Sequence, residues 1–126
     1  DTTSVIFLEE SLHGDKLKTA RRLFTKKIIT SLPDVIITSN DLIAQGIISA
    51  AHENGINIPN DMQITGFDDL LSSAYFIPSV TTVSQNIDEL AKRCFSMLMD
   101  LINKKSSVSS IIEQNIIARN SAKINI

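Results

Sequence analysis

The chain has 126 residues, enough for one compact domain with a real core, since chains of this size bury roughly two-thirds of the surface they expose when unfolded. Twelve basic side chains against fourteen acidic ones leave a net charge of −2, which argues against a dedicated nucleic-acid surface. The single cysteine, Cys94, has no partner for an internal disulfide, no apolar run approaches the roughly 18 residues of a membrane span, and Asp1-Thr-Thr-Ser4 does not read as a signal peptide. A cytoplasmic protein, or a piece of one that opens inside a strand, is the expectation.

Val5 to Leu8 is continuously apolar and reads as a strand buried on both faces, closed by a turn at His13-Gly14-Asp15. Asp15 is placed to cap a helix that runs to about Thr30, with Leu17, Ala20, Leu23, Phe24 and Ile28 on its core face and six lysines and arginines opposite. Those cations read as a solvated face, since no aromatic residue or glycine-rich loop accompanies them. Pro33-Asp34 restarts the chain into a second buried strand, Val35 to Ile37. The helix after Asp41 carries Gly46 in its interior, costing about 1 kcal/mol in helix propensity, so a close approach of helix and sheet is expected there. Gly55 sits where a left-handed residue would end this helix. Met62 to Phe67 is the third strand, and the repeated strand-helix alternation predicts an α/β fold: doubly wound, mainly parallel, with helices on both faces of the sheet.

Leu70 to Ile77 is apolar and irregular, and Val80 to Ser84 is β-prone. Asn86 and Glu89 have the spacing of a capping box ahead of a helix reaching about Asn103, with Cys94 on its apolar face as a small core residue. A polar linker from Lys104 to Ser110 leads to a last strand, Ile111 to Ala118.

The chemistry narrows by elimination. No Gly-x-Ser-x-Gly elbow, no Gly-x-Gly-x-x-Gly loop and no Gly-Lys-Ser/Thr is present, and the two histidines, His13 and His52, lack a nucleophile. Asp41, Asp68 and Asp69 all fall at the carboxyl ends of strands, where carboxylates can gather around magnesium. Asp41 is otherwise explained by capping and the helix dipole, and Asp69 by a turn. Asp68, in Ile64-Thr-Gly-Phe-Asp-Asp69, has the weakest structural excuse, and suits neighbouring sugar hydroxyls. Asn40, at the end of the adjacent strand, adds a donor and an acceptor, as in the polar lining of a carbohydrate or nucleoside pocket.

Four motifs over about fifty residues then define a resemblance. The segments Pro33 to Gly46 (PDVIITSNDLIAQG), Glu53 to Asp61 (ENGINIPND), Ile64 to Asp69 (ITGFDD) and Pro78 to Gln85 (PSVTTVSQ) closely resemble the core of lactose-repressor/galactose-repressor transcription regulators. The resemblance implies the type I periplasmic-binding-protein fold, in which two α/β subdomains flank a ligand cleft, with Asn40 and Asp68 touching a small-molecule effector. It implies neither enzymatic activity nor a cofactor or resident metal. Lys16 stands where the family often has an aromatic residue after Gly-Asp, which admits an anionic or phosphorylated ligand and makes Lys16 a third candidate contact. Ala20-Arg21 replaces a small Ser-Gly pair. Gln45, Tyr75 and Phe76 fall where family members form their two-fold contact.

By the same resemblance, residues 1–80 belong to the C-terminal effector-binding subdomain in part. Residues 81–104 cross to the N-terminal subdomain, and 105–126 return. Operator DNA would be read by a domain absent from this chain, and a homodimer is expected, with the helix of residues 87–102 a candidate for exchange between copies. A solute-binding receptor of a transport system, which shares the fold, is the alternative, and a metal-carboxylate enzyme the third choice.

Overall fold

A computed structural model describes residues 15–106 and 108–124; the expected strand Val5 to Leu8 lies outside them, as do His13 and Gly14. Helix α1, Lys16–Lys26, begins as expected at Asp15, whose Oδ1 accepts from the Lys18 amide at 3.1 Å. It stops earlier than its periodicity suggests. Lys27 leaves helical geometry, and a 3₁₀ turn over Ile28–Thr30 brings Ile28 into the core.

Strand β1, Val35–Ile37, pairs in parallel with β2, Gln63–Thr65, in the register Ile36 to Ile64. Helix α2, Asp41–Glu53, supplies the crossover that parallel pairing requires, and Gly55 ends it with φ +73°. Phe24, Ile47, Ile48, Met62, Ile64 and Val80 form the centre of the core. The expectation for Gly46 needs correction: the close approach is helix to helix. A Cβ there would stand 2.5 Å from the Leu17 carbonyl oxygen and 2.9 Å from Ala20 Cβ, so the missing side chain sets the α1–α2 distance. Arg21 spans the same interface, donating to both carboxylate oxygens of Glu53 at 2.7 and 2.8 Å and to Ser49 Oγ.

β1 is not buried on both faces. Ile36 packs against the core, while Val35 and Ile37, on the opposite face by the two-residue period of a strand, are exposed.

The apolar run after Asp69 folds into a short helix, α3, Leu71–Tyr75, which was not expected. Strand β3, Thr82–Ser84, pairs antiparallel with β4, Asn115–Ile117, and is joined to the parallel pair beside it. Thr65 bridges Thr81, the Gly66 amide donates to the Thr81 carbonyl at 2.8 Å, and the Asp68 amide donates to the Val83 carbonyl at 3.0 Å.

Helix α4, Ile87–Ile102, has the expected bounds but neither of two expected details. Asn86 is left-handed (φ +52°) and its side chain makes no capping bond; Glu89 instead pairs with Arg93 one turn on, at 2.7 Å. Cys94 is exposed and is not a core residue, because none of the residues of α4 is buried and its apolar side chains, among them Ile87, Phe95 and Leu98, face outward. Among the described residues no helix is long and apolar enough to cross a membrane.

Candidate functional site

The carboxyl ends of β1 and β2 open side by side. The Asp41 amide donates to the Phe67 carbonyl at 2.8 Å. Asn40, one residue before Asp41, and Asp68, one after Phe67, therefore leave the backbone at neighbouring points of the same edge.

Asn40 is buried and caps α2, its Oδ1 accepting from the Ile43 amide at 3.0 Å. That bond takes one of the two lone pairs of the acceptor which the sequence suggested for a ligand, and Nδ2 remains as the donor. Asp68 Oδ1 accepts from Gln85 Nε2 at 2.6 Å, which leaves Oδ2 as the acceptor for incoming hydroxyls. Asp68 and Asp69 have φ of +108° and +53°, a pair of consecutive left-handed residues that are not glycine. Such backbone costs on the order of 1–3 kcal/mol per residue and persists where the surroundings over-determine it.

The surroundings here are specific. Asp69 Oδ1 accepts from Arg119 Nη2 at 2.6 Å, while the same guanidinium donates through Nη1 to the Val80 carbonyl at 2.8 Å and the Arg119 amide to Thr81 Oγ1 at 2.9 Å. Asp41 is fully buried, 0% exposed. Its Oδ2 accepts from the Leu70 amide at 2.8 Å and from Ser73 Oγ at 2.6 Å, and its Oδ1 from Thr82 Oγ1 at 2.6 Å. The three carboxylates thus turn to three different sets of donors. Among the described residues no group of three His, Cys, Asp or Glu side chains gathers as a metal would require.

Lys16 opens α1 exposed to solvent, and among the described residues no hydrogen bond joins it to Asn40 or Asp68. The expected contact residues at the other end of the turn separate as well. Gln45 is 3% exposed, and its Nε2 donates to Ser72 Oγ at 2.9 Å and Ser73 Oγ at 3.0 Å, so it braces α3 from beneath. Phe76 packs against the core. Tyr75 lies open at 79% exposure, with Leu71 and Ile77 also exposed.

The sequence had not singled out Gln85, Thr82, Ser73 or Arg119. Ser73 and Thr82 carry a signal in hindsight, since a hydroxyl within an apolar or β-prone run must find a partner when buried.

Residues 4–122 match the family model described as a periplasmic binding protein-like domain, and the chain belongs to that family. The relatives it resembles there are regulators of the lactose-repressor type, as the four motifs imply. It is 35% identical over 95 residues to the HTH-type transcriptional repressor PurR of Pasteurella multocida (strain Pm70), an alignment covering 74% of this chain and 28% of that protein. A periplasmic binding ribose operon repressor protein from Lactobacillus acidophilus superposes with a TM-score of 0.78 at 31% identity, over 91% of this chain and 43% of that one. A LacI family transcriptional regulator from Enterococcus faecium with bound ribose gives a TM-score of 0.77 at 25% identity, over 84% and 40% respectively. The type I periplasmic-binding-protein class read from the sequence therefore holds, although the chain spans less than half the length of these proteins.

Proposed function

We propose that this chain is the effector-sensing and dimerisation region of a bacterial DNA-binding transcriptional repressor acting in the cytoplasm. The observation that carries the proposal is the edge where Asn40 Nδ2 and Asp68 Oδ2 stand beside a turn of two left-handed aspartates. One donor and one carboxylate acceptor at the end of a parallel pair suit a polyhydroxylated, sugar-like or nucleoside-like ligand. Lys16 is the cation this chain offers to a phosphoryl group on such a ligand. The relatives named above are transcription regulators, which favours the repressor over the solute-binding receptor, and the one with bound ribose shows the ligand class in a neighbour.

Residues 1–80 then form part of one subdomain, 81–104 cross to the other, and 105–126 return. The open apolar face of α4 supports this division, because a helix with no buried residue needs a surface that the described residues do not supply. The chain would act as a homodimer through α3 and Tyr75, with Gln45 holding α3 in place and Phe76 anchoring it; α4 is the element exchanged between copies. Operator DNA would be bound by a separate domain. The ligand shifts the placement of the subdomains only by its differential affinity for the two arrangements.

Calorimetry of the protein encoded by the full reading frame tests this, with ribose, adenosine, ribose 5-phosphate and magnesium chloride as probes. Saturable heat with one of the first three, lost in Asp68→Asn, is expected. Heat with magnesium alone that disappears in the same variant would instead favour the metal-carboxylate reading.

A further inference from the structure

We propose that Asp41 is a positioning residue, the joint through which the Asp68 turn is mechanically tied to α3 on one side and β3 on the other. The proposal rests on the reading of Asp68 as an effector contact. Asp41 itself faces the core and offers a ligand nothing.

The joint has three arms. Before the turn, the Asp41 amide donates to the Phe67 carbonyl at 2.8 Å; after it, the Leu70 amide donates to Asp41 Oδ2 at 2.8 Å. The two bonds hold both ends of the Asp68-Asp69 pair to one residue. The second arm runs to α3. The single hydroxyl proton of Ser73 goes to Asp41, so its oxygen accepts from Gln45, and the chain Gln45 to Ser73 to Asp41 pins α3 to α2 with every donor directed. The third arm runs to β3, where Thr82 donates to Asp41 Oδ1 and its oxygen faces the Asp69 amide at 3.4 Å.

A buried carboxylate needs compensation, and among the described residues no cation pairs with Asp41. Three donors and the amino end of α2 provide it, so loss of any one donor is felt by the others. Turning the Asp68 backbone would pull Leu70 from Oδ2, where Ser73 is also bound. Movement at the ligand edge is thereby passed to α3, which carries Tyr75.

Amide hydrogen exchange without ligand tests the joint in the protein encoded by the full reading frame. In Asp41→Ala, exchange at Asp68, Leu70 and Ser73 rises about tenfold or more over wild type while amides of α1 keep their protection. In Ser73→Ala the rise is largest in α3 and extends in smaller measure to Leu70, which shares Asp41 Oδ2 with Ser73, and Asp41→Asn, which keeps one oxygen for Leu70, gives a smaller rise than alanine. Unchanged turn amides in a folded Asp41→Ala protein, or an equal rise throughout the chain, would overturn the proposal. If alanine prevents folding, unchanged α3 exchange in Ser73→Ala does so. A second readout follows the ring signals of Tyr75 as ribose is added. Wild type should show a shift that shrinks in Ser73→Ala; a shift of equal size in both contradicts the coupling. Absence of any ribose response with the exchange pattern intact counts against the sugar reading and leaves the joint supported.

Discussion

The carboxylate of Asp41 lies where a side chain on residue 66 would be: a Cβ built on Gly66 would strike Asp41 Oδ1 and come within 3.1 Å of its Cγ. The glycine of the Gly-Phe-Asp-Asp segment therefore makes room for a buried acid contributed by another element. Gly66→Ala should destabilise the protein by about 2–4 kcal/mol, by overpacking and by displacing a carboxylate from its three donors. Urea denaturation measures this, and a midpoint equal to that of wild type would contradict it.

Gly46 makes the same kind of space between two helices. Alanine would improve intrinsic helix propensity by about 1 kcal/mol, yet its methyl would press on the Leu17 carbonyl and Ala20, at a cost of about 1–3 kcal/mol. We expect a net loss of stability in Gly46→Ala, read from the urea midpoint. A gain would show that α1 moves aside freely.

Much of this was legible in the residues. The strand-helix order, the cap at Asp15 and the left-handed Gly55 are local, so near neighbours in sequence dictate them. What sequence could not show was tertiary. As a helix-start carboxylate Asp41 has a local explanation, and only the fold brings Leu70, Ser73 and Thr82 to it from 29 to 41 residues away. The helical period of α4 marks an apolar face, but the period says nothing of where a covering surface comes from, and the core that Cys94's position on that face suggests is one that the described residues do not build. Asn40 reads in the sequence as a ligand residue, and its cap bond adds a structural role beside that one.

Arg119 joins the returning chain to the ligand turn through Asp69 and Val80 together. Arg119→Met leaves a partly buried carboxylate without its cation and should cost about 1–3 kcal/mol. Arg119→Lys should recover less than half of that, because one ammonium cannot reach both acceptors as the planar guanidinium does. Full recovery by lysine, measured by thermal unfolding, would show that charge alone matters.

The 126-residue chain exposes Ile87, Phe95 and Leu98 on one helix. A patch of that kind favours association, so sedimentation should give a dimer mass, and Phe95→Glu with Leu98→Glu should shift the equilibrium toward monomer by removing the α4 contribution and leaving only the contact through α3. A monodisperse wild-type monomer would refute exchange or pairing of α4.

Asp68 is the residue on which the functional account turns. In the full reading frame that encodes this chain, transcription from the cognate operator should respond to effector in wild type. Asp68→Asn should abolish that response while operator binding, followed by gel shift, stays as in wild type. An undiminished effector response in Asp68→Asn would contradict the account.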